Sequence, residues 1–124
     1  LEAMRAFRPD GVKFAVSVTA DQVPHLLEFA RRVGSGYPES CVLGMGAAGT
    51  LTRLLCPLLG CPFTYGHLGE GPVAPGQLDV ESMRGFFERA AADPQRPATD
   101  APVADWMRWA EDRFRREAGR VIRD

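Results

Sequence analysis

Net charge, lysine, pairable cysteine and long apolar runs are all scarce in this 124-residue sequence, and each scarcity removes a class of function. Fifteen basic residues against 16 acidic ones leave a formal charge of -1, whereas a dedicated nucleic-acid-binding domain carries a clear basic excess. No apolar run approaches the roughly 18 residues of a membrane span, and no charged-then-apolar leader opens the sequence. The three cysteines are odd in number and lack zinc-ligand spacing: Cys56 and Cys61 are separated by four residues, and Cys41 stands alone. They are expected to be reduced, buried thiols of a cytoplasmic protein. The first residue is Leu1 rather than Met, which leaves room for the sequence to be a piece of something longer.

What is present is the composition of one globular domain, 45% apolar and 25% charged, with enough apolar surface for a single core. Two periodicities alternate along it, the mark of an α/β chain. Leu1, Met4 and Phe7 fit the end of a helix stopped by Pro9 and Gly11. Val12 to Val18, rich in β-branched and aromatic residues, predicts a strand. Asp21 is placed to cap a helix with Pro24 in its first turn. That helix is apolar at Val23, Leu26, Leu27, Ala30 and Val33, and Gly34 and Gly36 end it. Ser40 to Met45 predicts a second strand. A helix from near Ala47 carries Leu51, Leu54, Leu55 and Leu58 on one face, kinked or shortened at Pro57 and closed by Gly60. Phe63 to Tyr65 predicts a short third strand.

The segment Gly66–Gln77, GHLGEGPVAPGQ, holds four glycines and two prolines, and a loop of that length inside a compact domain is usually functional. Asp79 caps a helix apolar at Met83, Phe86, Phe87 and Ala90. A polar linker with Pro94 and Pro97 leads to a last helix, with Val103, Trp106, Met107, Ala110 and Phe114 inward. Strands separated by helices imply parallel pairing.

Of the 15 basic residues only Lys13 is a lysine, and it sits inside the first strand. Alternation sets Val12, Phe14, Val16 and Val18 on a helix-covered face, and Lys13, Ala15, Ser17 and Thr19 on a small, polar one. A lysine confined there would be partly desolvated, which favours the neutral amine that attacks a carbonyl. The alternative is a lysine near a strand end whose ammonium reaches water, and spacing alone favours that alternative. The run Gly44-Met45-Gly46-Ala47-Ala48-Gly49 matches G-x-G-x-x-G between a strand and a helix, the dinucleotide fingerprint. Its acidic partner would be Glu70, which lies in the loop rather than at a strand end. The glycines also suit a tight turn at the lip of a pocket. Arg53, in the helix that follows, is placed either to fork onto a carboxylate or to face solvent. His25 reads as a surface residue, and His67 lies in the loop beside Glu70, where acid–base work is open to it. Arg113, Arg115, Arg116, Arg120 and Arg123 alternate with Glu111, Asp112 and Glu117, as on a solvated helix face.

Taken together, the strand V-K-F-A-V, the segment L-G-M-G-x-x-G-T-L-T-R, the F-T-Y stretch and the loop end A-P-G-Q-L resemble type I 3-dehydroquinate dehydratase over residues 11 to 87. The order and spacing match the C-terminal half of that family. The resemblance implies an α/β fold, half of a (β/α)8 TIM barrel with parallel strands, spanning residues 1–92. Residues 93–124 then form a linker and an appended C-terminal helix. It also implies a lyase of the shikimate pathway, and so of aromatic amino acid biosynthesis, that dehydrates 3-dehydroquinate to 3-dehydroshikimate through a lysine Schiff base, with no metal or organic cofactor. Lys13 matches the Schiff-base lysine, Arg53 the arginine on the substrate carboxylate, Gln77 the loop glutamine and Met45 a pocket-wall methionine. Tyr65 stands where the family usually has an aromatic ring.

The departures are specific. Val73 replaces a serine that touches substrate, Leu43 replaces a usual methionine, the loop is one residue longer, and Pro57 interrupts a helix that normally runs on. A whole barrel needs about 250 residues, and the family's catalytic histidine and its acidic partner belong to the half that is missing. The expected partners are therefore the small-molecule substrate and either a complementing N-terminal half or further copies of the chain, with neither nucleic acid nor membrane. A homo-oligomer would duplicate Lys13 without supplying the histidine. Open parallel strands need their edges covered, and the tail Ala101–Asp124 is a candidate cover. Two other readings stand beside this one: a catalytically incomplete, oligomeric half-barrel that binds or regulates, and a dinucleotide-binding domain.

Overall fold

A computed structural model describes residues 2–5, 10–69, 71 and 76–113. Its elements are α1 (Glu2–Arg5), β1 (Val12–Ser17), α2 (Val23–Gly36), β2 (Ser40–Met45), α3 (Thr50–Leu55), α4 (Val80–Ala92) and α5 (Val103–Arg113), with 3-10 turns at Ala20–Gln22, Ala47–Gly49 and Cys56–Leu59. Strands β1 and β2 pair in parallel, in the register Val12 to Ser40 through Ser17 to Met45. The parallel, helix-separated arrangement is that of a mixed α/β chain.

Phe63 to Tyr65 does not form the predicted third strand. The segment gives β2 one backbone bond, from Phe63 N–H to the Ser40 carbonyl at 3.3 Å. Thr64 then sends its hydroxyl to the Arg53 carbonyl at 2.9 Å. A ladder needs repeated bonds, and one does not make a strand.

The core lies between the sheet and the helices. Leu27, Ala30 and Val33 of α2 are fully buried, as are Leu55 of α3 and the neighbouring Cys56 and Cys61. Each fully buried Leu or Val contributes about 1.5–3 kcal/mol relative to exposure. Gly34 of α2 crosses Gly60 so closely that a Cβ on Gly34 would lie 2.4 Å from the Gly60 carbonyl oxygen. Gly60 itself has φ 117°, a left-handed conformation that closes the turn after α3. Pro57 sits in that 3-10 turn, so α3 is shortened there as its position predicts.

Other local signals are redistributed. The start of the α2 region is fixed by Thr19, whose N–H donates to Gln22 Oε1 at 3.0 Å. Asp21 instead accepts from the Thr19 hydroxyl, so it is a neighbour of the cap and not the cap. Asp79 does cap α4, accepting from the Ser82 N–H at 2.8 Å and from its hydroxyl at 2.7 Å. Val16 is 42% exposed rather than covered, because it lies near the end of β1, beyond the packing of Phe14 on Phe29 of α2.

Helix α5 packs on the helix layer, against α2 and, through Trp109, against Phe86 of α4. Arg31 of α2 donates to the Ala101 carbonyl at its entrance. Trp109 is buried beside Val103, Trp106 and Ala110, a core position the inward set omitted, whereas Met107 is only partly buried. Both indoles hold the linker: Trp106 Nε1 donates to the Ala98 carbonyl at 3.1 Å and Trp109 Nε1 to Asp93 Oδ2 at 2.9 Å. Leu1, Phe7, Pro9, Glu70, Val73, Phe114, Arg115, Arg116, Glu117, Arg120 and Arg123 lie outside the described residues.

Candidate functional site

The face of the sheet away from α2 carries the candidate chemistry. Parallel register pairs Lys13 with Cys41, Ala15 with Leu43 and Ser17 with Met45, so these six side chains project to one side. Lys13, Ala15 and Ser17 are exposed, while Cys41 and Leu43 are buried and Met45 half-buried. Lys13 is thus the exposed cation of an otherwise small-residue strand face. Its Nζ lies 4.2 Å from the centroid of the Tyr65 ring, inside the range of a cation–π contact.

Arg53 approaches from the helix that follows β2. The side chain is 2% exposed, and burial pushes its pKa below the ordinary arginine value, with Cys41 acting in the opposite sense. Burial in turn pushes the Cys41 thiol up, partly offset by the positive charge of Lys13 and, less, by that of Arg53. Cys41 therefore feels both cations. The thiol itself is free and buried, as the sequence predicts. Strand alternation held the signal, since Cys41, Leu43 and Met45 share the face that parallel pairing gives to Lys13.

The turn after β2 explains the glycine run. A Cβ on Gly49 would fall 2.4 Å from the Gly44 carbonyl carbon and oxygen. The Gly44 N–H donates to the buried Thr52 hydroxyl at 2.7 Å. Strand end and helix start are therefore in backbone contact, and Gly44 and Gly49 are accounted for by that packing. Thr52, which is fully buried, was not singled out by sequence reasoning.

Gln77 enters on the return leg of the loop. Its neighbour Gly76 is so close that a Cβ there would meet the Gly46 carbonyl oxygen at 2.3 Å and Thr50 Oγ1 at 2.9 Å. This seats Gln77, half-buried, beside the strand end that carries Met45. His67 is tied elsewhere. Its Nδ1 accepts from the Gly69 N–H at 3.2 Å, its backbone brackets Leu78 and Val80, and its charge is felt by Asp79. His25 is exposed on α2, as its position predicts.

Lys13 and Tyr65 thus set an exposed amine against an aromatic ring on the sheet face that also carries Met45, while Arg53 lies buried and electrostatically coupled to Cys41 of the same face. The family model for type I 3-dehydroquinase matches residues 1–93. A 3-dehydroquinate dehydratase of Coxiella burnetii is 41% identical over 91 residues, covering 72% of this chain and 38% of the relative. One from Methanothrix thermoacetophila is 39% identical over 82 residues, 66% of this chain and 34% of the relative. A Chlamydia trachomatis protein named shikimate biosynthesis protein AroDE is 35% identical over 95 residues, 76% of this chain and 19% of the relative. The chain thus spans well under half the length of these relatives. With three quarters of its residues inside the family match, the chain belongs to the type I 3-dehydroquinase family.

Proposed function

We propose that this chain is the imine-forming half of a 3-dehydroquinate dehydratase, a lyase that converts 3-dehydroquinate to 3-dehydroshikimate. The observation that carries the reading is the placement of the sole lysine, on the open sheet face, over the Tyr65 ring and in register with Cys41. The Lys13 amine adds to the substrate ketone, and loss of one water gives an iminium. That cation is an electron sink. It acidifies the adjacent carbon, so a base removes a proton there and the hydroxyl on the next carbon leaves as water. Hydrolysis of the resulting conjugated iminium returns the free amine and the product. Arg53 holds the carboxylate through its guanidinium fork, Gln77 binds hydroxyls from the loop, and Met45 and Tyr65 form walls. The base comes from outside this chain, since the family's histidine has no counterpart here and the contacts of His67 run to Gly69 and Asp79.

In this reading residues 1–92 are the C-terminal half of a (β/α)8 barrel, and residues 93–124 are an addition whose helix α5 covers the helix layer. A cytoplasmic location and a complementing N-terminal half follow as parts of the same proposal. Treatment with 3-dehydroquinate and borohydride, followed by intact and peptide mass, tests it. An adduct on Lys13, absent from Lys13→Met, supports the imine role. A folded chain that gives no adduct, alone or with the complementing half, sinks it.

The second reading, an incomplete half-barrel that binds or regulates, is favoured by the openness of the face, with Tyr65 47% exposed and Lys13 also exposed. Adduct formation without turnover after complementation would favour it over the first.

A further inference from the structure

Tyr65 stands out for a reason separate from substrate contact: the face of its ring meets the nitrogen of Lys13 and not merely the lysine stem. The chain contains one lysine, and its Nζ lies 4.2 Å from the ring centroid. A lysine stem has four rotatable bonds, and an exposed ammonium ordinarily samples many positions. The two residues come from different parts of the fold. Lys13 is the second residue of β1. Tyr65 follows Phe63 and Thr64, which are anchored to the Ser40 and Arg53 carbonyls respectively. The ring is therefore carried by backbone bonded to β2 and α3, with its face toward the amine.

We propose that Tyr65 is a positioning residue for the Lys13 nitrogen, holding it over the open sheet face both as the ammonium and after a carbon–nitrogen bond has formed. This rests on the reading of Lys13 as the imine-forming amine. Ammonium, iminium and alkylated ammonium all carry positive charge, so the ring's negative face attracts the nitrogen before and after the covalent step, while in between the ammonium gives its proton to water and attacks as the neutral amine. Nitrogen thus keeps its place while the atom bonded to it changes. An exposed cation–π contact corresponds to about a two- to fivefold preference for the over-ring arrangement. That is enough to dominate the population and too little to trap the amine.

The sole lysine makes the test clean. Protein labelled with carbon-13 lysine gives one ε-methylene signal, and a methylene above a ring face is displaced upfield of free lysine. The displacement is expected in the unchanged chain, retained in Tyr65→Phe and lost in Tyr65→Leu. Propanal then forms an imine at Lys13 with loss of water, and cyanoborohydride reduces it by hydride transfer to a secondary ammonium. The displacement is expected to persist in that product. A free-lysine shift in the unchanged chain, an unaltered shift in Tyr65→Leu, or loss of displacement on alkylation would each overturn the proposal. None of these measurements uses 3-dehydroquinate, so failure of the dehydratase reading shows up separately, in the borohydride adduct.

Discussion

Gly49 sits against the carbonyl of Gly44, with 2.4 Å between a Cβ built on the first and the carbonyl carbon and oxygen of the second. Neither backbone segment has a flexible side-chain end to yield, so Gly49→Ala must separate strand end from helix start. A loss of about 1–3 kcal/mol is expected, read as a lower urea midpoint. Gly85→Ala is the control in the opposite direction. Its Cβ would meet the far end of the Arg89 side chain at 3.2 Å, so once that end shifts by a few tenths of an ångström, removing a helix-interior glycine from α4 should stabilise by about 0.5–1 kcal/mol.

Trp106 is 2% exposed and donates its indole N–H to the Ala98 carbonyl. Trp106→Ala is expected to cost about 3–5 kcal/mol. Trp106→Phe keeps most of the ring burial and loses the hydrogen bond, for about 1 kcal/mol plus a small cavity term. Denaturant curves would show both. An alanine variant as stable as the parent would mean that α5 is an ornament to the core and not part of it.

Asp79 links acid stability to one cap. The Ser82 hydroxyl and amide bonds, and to a lesser degree His67, hold its carboxyl below the ordinary aspartate value of 3.8. A carboxyl whose pKa is depressed by folding stabilises the fold above the unfolded value, and that contribution fades as pH falls below it. Asp79→Ala should cost about 1 kcal/mol near neutrality and progressively less below pH ~4. Asp79→Asn keeps an acceptor that does not titrate, so the difference from the parent should shrink or reverse in acid. Thermal melts at pH 7 and pH 3 compare the three.

Arg53 separates folding from binding. Removing one member of a buried charged set costs about 3–5 kcal/mol, so Arg53→Met is compared only once a denaturant melt shows that it is folded. A lysine lacks the planar fork that meets a carboxylate. Both Arg53→Met and Arg53→Lys are therefore expected to lower Lys13 adduct formation from 3-dehydroquinate by at least about tenfold, with little change for propanal. Equal losses for both carbonyls would point to a disturbed Lys13 and not to a lost carboxylate contact.

The elements legible in the sequence are those fixed by local periodicity and local caps. Val12–Ser17, Ser40–Met45, the apolar faces of α2 and α4, the Asp79 cap and the shortening at Pro57 all belong to that class. The misreadings are non-local. Phe-Thr-Tyr has strand propensity, yet strand character needs a ladder of partners, and the neighbour supplies one bond. Thr19 outcompetes Asp21 because Gln22 returns a bond to the threonine backbone. Trp109 is buried because its indole finds Asp93, sixteen residues away. The candidate site divides the same way. Lys13 is conspicuous as the sole lysine, while its relation to Cys41 depends on inter-strand register and its contact with Tyr65 on where the chain after α3 returns, and no single segment encodes either.

The two indoles on α5 are the only tryptophans in the chain, and they meet edge to face with centroids 5.6 Å apart. All tryptophan emission therefore originates on the helix layer, where one indole is bonded to a backbone carbonyl and the other to a carboxylate. A fluorescence melt follows the release of α5, and occupancy of the opposite sheet face leaves that signal almost silent. Lysine and tryptophan thus act as two spectroscopically separate reporters, one for each side of the sheet.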